Sequence, residues 1–92
     1  MIDETNYVRI DSKDNVIVSL EDLKKGQRIC MQGSSIEVKE EIPMYHKMAI
    51  CDIPSHSPVF KYGEKIGVAV KDIFAGEHVH VHNLKSGDEN VF

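Results

Sequence analysis

Short runs of alternating apolar and polar residues dominate this chain. Val16-Ile17-Val18-Ser19-Leu20, Gln27-Arg28-Ile29-Cys30-Met31, Ile36-Glu37-Val38-Lys39-Glu40 and Tyr45-His46-Lys47-Met48-Ala49-Ile50-Cys51 each read as a strand. Tyr7-Val8-Arg9-Ile10 is a shorter one. Residues 59–70 supply two more around a Gly63-Glu64-Lys65 turn. Asp11 to Asn15 is turn chemistry, because short polar side chains bend and cap the backbone locally. Helical periodicity nowhere lasts beyond a turn or two, and residues 20–25 are the candidate for a single helical turn. The pattern predicts a small all-β domain of short strands joined by glycine and proline turns.

One device recurs between the strands. Asp22-Leu23-Lys24-Lys25-Gly26 resembles Asp72-Ile73-Phe74-Ala75-Gly76. Asp52-Ile53-Pro54-Ser55-His56 has the same shape, with His56 at the glycine place, and Glu41-Ile42-Pro43-Met44-Tyr45 is a weaker fourth copy. The aliphatic residue plugs the core while the turn reverses the chain, and glycine at the last place accepts positive φ. The acidic residue reads as a turn cap rather than a catalytic group. The irregular starts (22, 41, 52, 72) exclude a solenoid.

Gly76-Glu77-His78-Val79-His80-Val81-His82-Asn83 holds three of the five histidines, alternating with valine. As a strand it sets His78, His80 and His82 on one face and Val79 and Val81 on the other, toward the core. Imidazole changes charge near neutral pH, so the row suits proton transfer, metal ligation or anion binding. It equally suits a solvated strand face. His80 and His82 lie about 7 Å apart along a straight strand, so both reach one metal only where the strand bends.

Ninety-two residues make one domain with a modest core. The formal charge of −4 and the lack of a basic stripe argue against nucleic-acid binding. No apolar run approaches a membrane span, and the acidic start Met1-Ile2-Asp3-Glu4 is unlike a secretory signal. Cys30 and Cys51 read as small buried residues in a reducing cytoplasm, with a disulfide between them left open. Lys85 to Phe92 is expected to be a flexible tail or to reach another chain.

Seven short elements then agree in order and spacing: His46-Lys47, Lys61-Tyr62-Gly63, Ile66-Gly67, Asp72-Ile73, Gly76-Glu77 and His80-x-His82-Asn83, with the Asp14-Asn15-Val16 turn before them. Together they resemble the N-terminal domain of the altronate and galactarate dehydratases, over residues 7–84. The resemblance implies a SAF domain, a β-clip fold, spanning the single domain 1–92. It implies the separate small subunit of a sugar-acid dehydratase in carbohydrate metabolism, acting with a large catalytic subunit. It also implies a divalent metal, typically Fe2+, in the assembled enzyme. The reaction removes water from an aldonate or aldarate to give a 2-keto-3-deoxy acid. Tyr45 and the Ser55-His56-Ser57 turn replace glycine of the family pattern and leave the exact substrate open.

Such a dehydration needs a base for the proton beside the carboxylate, an acid for the departing hydroxide, and a cation beside the enediolate. His80 and His82 are the candidates for acid, base or metal ligand, with His78 ranked below them. His46, Lys47, Lys61 and Asn83 are candidates for holding the sugar acid, Lys47 as a point charge on its carboxylate. Asn83 is as well explained as a strand-end turn residue, Tyr62 as a packing residue, and His56 as a turn-surface residue. The chain alone is expected to be inactive, and association between copies is left open. Two other readings stay beside this one: the small subunit of a related lyase, such as a sulfolactate sulfo-lyase, and a non-catalytic SAF binding module.

Overall fold

The computed structural model describes residues 7–86. Nine strands follow in order: β1 (Tyr7–Val8), β2 (Val16–Ser19), β3 (Arg28–Met31), β4 (Ser34–Glu37), β5 (Lys47–Ala49), β6 (Pro58–Lys61), β7 (Glu64–Ala69), β8 (His78–Val79) and β9 (Leu84–Ser86). All pairings are antiparallel. They form a four-stranded sheet β1-β2-β5-β8, a hairpin β3-β4 and a three-stranded sheet β6-β7-β9. The fold is all-β, and no helix occurs among the described residues. The helical turn considered at residues 20–25 is absent. There the Ser19 hydroxyl donates to the Glu21 carbonyl and accepts the Glu21 N–H at 3.2 Å, which bends the chain instead.

The recurring device folds as four turns of the same type, and the copy at Glu41 differs in its acidic residue, Glu where the others have Asp. The N–H of Gln27, His46, Ser57 and Glu77 each donates to the carbonyl three residues back, at 3.0 Å in every case. The third residue of each turn has positive φ: Gly26 at 92°, Tyr45 at 70°, His56 at 72° and Gly76 at 94°. That is the requirement of a type II turn. Tyr45 and His56 therefore hold the glycine conformation without being glycine.

The turns work in pairs. Leu23 and Ile42 exchange two backbone hydrogen bonds, as do Ile53 and Ile73. Asp22 Oδ1 accepts the Met44 N–H at 2.8 Å, Asp72 Oδ1 the Ser55 N–H at 2.9 Å, and Asp52 Oδ1 the Ala75 N–H at 3.0 Å. Each aspartate thus caps the partner turn. Between the two turns of each pair runs a hairpin closed by two residues of positive φ, Gln32-Gly33 or Tyr62-Gly63, as two-residue hairpin turns require. The chain is therefore one unit built twice: turn, hairpin, turn, return to the central sheet. Gln32-Gly33 also starts β4 at Ser34, two residues before the expected Ile36.

Each unit has its own core. Leu23, Ile29, Met31, Val38 and Ile42 cluster in the first, and Ile53, Val59, Ala69 and Ile73 in the second. The central pair β2-β5 is the wall between them. Ile17 and Met48 face the first core, and Val16 and Ala49 the second. A strand alternates faces, and β2 is buried throughout because both faces are covered. Each fully buried Ile or Leu contributes about 1.5–3 kcal/mol.

Cys30 and Cys51 are free and exposed rather than buried. In β3 it is Ile29 and Met31 that point inward, so Cys30 must point out. Lys85 and Ser86, the first residues of the expected tail, pair with β7 as part of β9. Residues 87–92 of that expectation lie outside the described residues.

Asp14 ties the N-terminal turn to the second hairpin. Its carboxylate accepts N–H groups of Gly63 at 2.7 Å and of Ile10 and Asp11 at 3.2 Å. Burial disfavours its charge, but the N–H groups of Gly63, Asp11, Tyr62 and Ile10 outweigh that and hold its pKa below the ordinary value. Asn15 continues the tie, accepting from Phe60 N at 2.8 Å and donating to the Pro58 carbonyl at 3.0 Å.

Candidate functional site

Strands β5 and β8 place the histidines. Lys47 pairs with Val79 and Met48 with His78. One step further along this register, His46 comes opposite His80, and their ring centroids are 4.5 Å apart. His46 to His78 is 5.0 Å, and His78 to His80 and to His82 are 5.4 Å each. His46 Nδ1 lies 2.8 Å from His78 Nε2, a hydrogen bond in which one ring donates and the other accepts.

The expected straight strand from His78 to His82 is not what makes this cluster. β8 ends at Val79, and residues 80–83 turn away. Asn83 causes the break. Its Oδ1 accepts the His80 N–H at 2.9 Å, its Nδ2 donates to the His78 carbonyl at 2.9 Å, and its own N–H reaches the His80 carbonyl at 3.1 Å. Val79 points into the core as expected, but Val81 is 83% exposed. The turn, not a strand face, swings the exposed His82 to the ring of His78. Asn83 is 2% exposed with both amide ends bonded to backbone. It is the clamp of this turn, and almost no surface remains for the sugar contact expected of it.

The rings press one another toward the neutral form. Burial, then His46, His82 and His80, lower the His78 pKa, while Glu40 opposes them. Burial, then His46, Lys47 and His82, lower that of His80. Lys47 is half-buried beside them, and its pKa is lowered by burial and then by the charge of Lys61. The two lysine charges are therefore near enough to oppose each other. Lys61 also sits over the Tyr62 ring, 5.0 Å from its centroid. His56 stays in its exposed turn.

Imidazole nitrogens converge well enough to hold a cation. Ligand atoms of His46, His78 and His80 all lie within 4.8 Å of one another, and so do those of Glu40, His78 and His82. Glu40 Oε1 also accepts the His78 N–H at 3.1 Å. The sequence pattern had placed His46 among substrate contacts and passed over Glu40. The signal available was that His46 and His78 both follow copies of the turn device. A separate cleft of 410 Å³, lined by residues including Arg9, Lys13, Met31 and Cys51, contains no histidine.

An antiparallel β-domain of paired turns with a histidine edge defines the class, and comparison with known proteins defines the family. Residues 5–87 match the model of the altronate/galactarate dehydratase SAF domain. The chain is 44% identical over 86 residues to an altronate dehydratase of Bacillus subtilis, covering 94% of this chain but 17% of that protein. It is 37% identical over 75 residues to a galactarate dehydratase (L-threo-forming) of Escherichia coli, covering 79% of this chain and 14% of that protein. It is 39% identical over 88 residues to a (2R)-sulfolactate sulfo-lyase subunit alpha of Chromohalobacter salexigens, covering 88% of this chain and 94% of that one. The chain belongs to the altronate/galactarate dehydratase SAF-domain family.

Proposed function

We propose that this chain is the small subunit of a sugar-acid dehydratase and acts with a separate large chain on an aldonate or aldarate. The observation that carries the reading is the convergence of His46, His78, His80 and His82 beside Lys47, whose charge acts on His80. A neutral imidazole takes the proton from the carbon next to the substrate carboxylate. A second, protonated imidazole gives its proton to the hydroxyl on the following carbon, which leaves as water. The enol that remains tautomerises to the 2-keto-3-deoxy acid. His80 and His82 take these roles; burial and its neighbours shift His80 toward the neutral form, which suits a base and equally a metal ligand, two uses that exclude each other. The Lys47 ammonium holds the carboxylate and the charge that grows on it, with Lys61, whose charge Lys47 feels, as a second candidate. The divalent cation implied by the family, Fe2+ among the candidates, would add a further positive charge beside the enediolate. The nitrogen donors of the histidine edge fit such an ion.

A second reading rests on one observation. The sulfo-lyase subunit alpha matches this chain over nearly its whole length, so sulfite is the alternative leaving group from the same proton-abstraction step. The deciding experiment co-expresses the chain with its candidate large partner and assays aldonates, aldarates and sulfolactate. A 2-keto-3-deoxy product supports the dehydratase, and sulfite release supports the second reading. Assembly without turnover on any substrate overturns both in favour of a binding module. The chain by itself is expected to show no turnover.

A further inference from the structure

The geometry points to a metal site carried by this domain itself: His46, His78 and His80 together bind one first-row divalent cation of the zinc and iron class. This deepens the lyase reading, on which it rests for its purpose, by assigning the ligands. It differs from the pair expected of the sequence, because His46 and His78 join His80, whose lone pair then holds the ion instead of taking the proton, and proton transfer falls to His82 at the rim.

Three observations support it. The nitrogens are already close, all within 4.8 Å of one another and two of them at 2.8 Å. With metal–nitrogen bonds of about 2.0–2.1 Å, a tetrahedral ion holds its ligand atoms roughly 3.3 Å apart. Binding releases the proton of the His46–His78 hydrogen bond and requires the rings to rotate toward that spacing.

The backbone is fixed at every ligand, so little order has to be imposed on binding. The His46 carbonyl accepts the Ser19 N–H at 3.0 Å and its own N–H closes the type II turn. The His78 N–H is held by Glu40, and the His80 N–H by Asn83. Two ligands come from one chain segment and the third from the neighbouring one, across the register of β5 and β8. Preorganisation of this kind is what a metal site requires of its scaffold.

The donor set is selective. Three imidazoles without a thiolate suit zinc, cobalt, nickel or iron rather than calcium or magnesium, which take oxygen ligands. Both cysteines of the chain stand outside the cluster. Three protein ligands also leave a position open for water or substrate, the arrangement of a catalytic rather than a structural site.

The test uses the full chain without a polyhistidine tag, titrated with Co2+ and followed by visible absorption and calorimetry. One cation per chain is expected, displaced by Zn2+ and unaffected by Mg2+ or Ca2+. His46→Gln, His78→Gln and His80→Gln should each weaken binding at least tenfold, since loss even of outer partners costs 10- to 100-fold. Circular dichroism confirms that each variant is folded. No cobalt band, or a band unchanged in His46→Gln, overturns the inference. So does dependence on Glu40 and His82 but not on His46, which would assign the ion to the other set. Failure here with turnover intact in the assembled enzyme leaves the lyase reading standing. Metal binding without turnover gives the reverse.

Discussion

Asp52 and Asp72 each accept an N–H of the other's turn, at 3.0 and 2.9 Å, and Asp22 does the same for Met44. His46, His78 and His80 instead turn their rings toward one another, with His78 and His80 pushed toward neutrality by that company. The first region joins complementary groups, acid to donor, which is how a fold gains stability. The second gathers groups of the same kind, which a fold has no need to do. Crowded titratable groups with shifted pKa values mark sites kept for chemistry. Substitution should therefore divide the molecule: turn residues govern stability, edge residues govern turnover and binding.

The sharpest break of the turn region is at Gly76. A Cβ there would lie 2.1 Å from the Glu37 carbonyl, and the residue has φ of +94°. Gly76→Ala should cost more than about 3 kcal/mol and appear as a collapsed melting temperature or insoluble protein. On the other side of the comparison, Lys47→Gln should leave melting nearly unchanged. In the assembled enzyme it should raise KM about 10- to 100-fold, the worth of one charge-assisted hydrogen bond.

Asp14→Asn should destabilise the chain by about 1–3 kcal/mol in denaturant melts at neutral pH. Its pH dependence follows from the lowered pKa. Stability from Asp14 is full above the ordinary carboxylate value of 3.8 and is lost as pH falls through the lower folded value. The variant should therefore show a shallower acid limb than the native chain below about pH 4.

The smallest effect is expected at His56. Its φ of +72° carries the left-handed penalty of an L-residue, about 1–2 kcal/mol, part of which glycine's greater flexibility in the unfolded chain offsets. His56→Gly should raise stability by up to about 1 kcal/mol and leave turnover unchanged. A fall in turnover would extend the site beyond the histidine edge.

The strand types and the turn device were legible because alternation and acidic-aliphatic-turn chemistry are local signals. The doubling of the unit was harder to read, because Gly26 and Gly76 are matched by Tyr45 and His56, which do not look like turn residues of positive φ. The outward cysteines were missed because Cys30 sits among apolar neighbours and only the register of β3 against β4 says which way it points. At the candidate site, spacing alone put His80 and His82 among the candidates. The end of β8 was not legible, since it depends on Asn83 bonding backward to His78 and His80. His46 was visible as a residue but not as a member of the cluster, since strand pairing over a long stretch of sequence brings it there.

The central claim is that the histidine edge serves chemistry and not the fold. Turnover of the assembled enzyme carrying His80→Ala, measured beside the melting temperature of the same variant, tests it most directly. The His80 backbone is held through its N–H by Asn83, not through its ring, so truncation should leave the fold in place. Turnover should fall on the order of 10²- to 10⁴-fold, as when a group that moves a proton or holds the ion is lost, with melting within a few degrees of the native chain. Native turnover in a normally assembled complex would contradict the claim and make the edge a solvated surface.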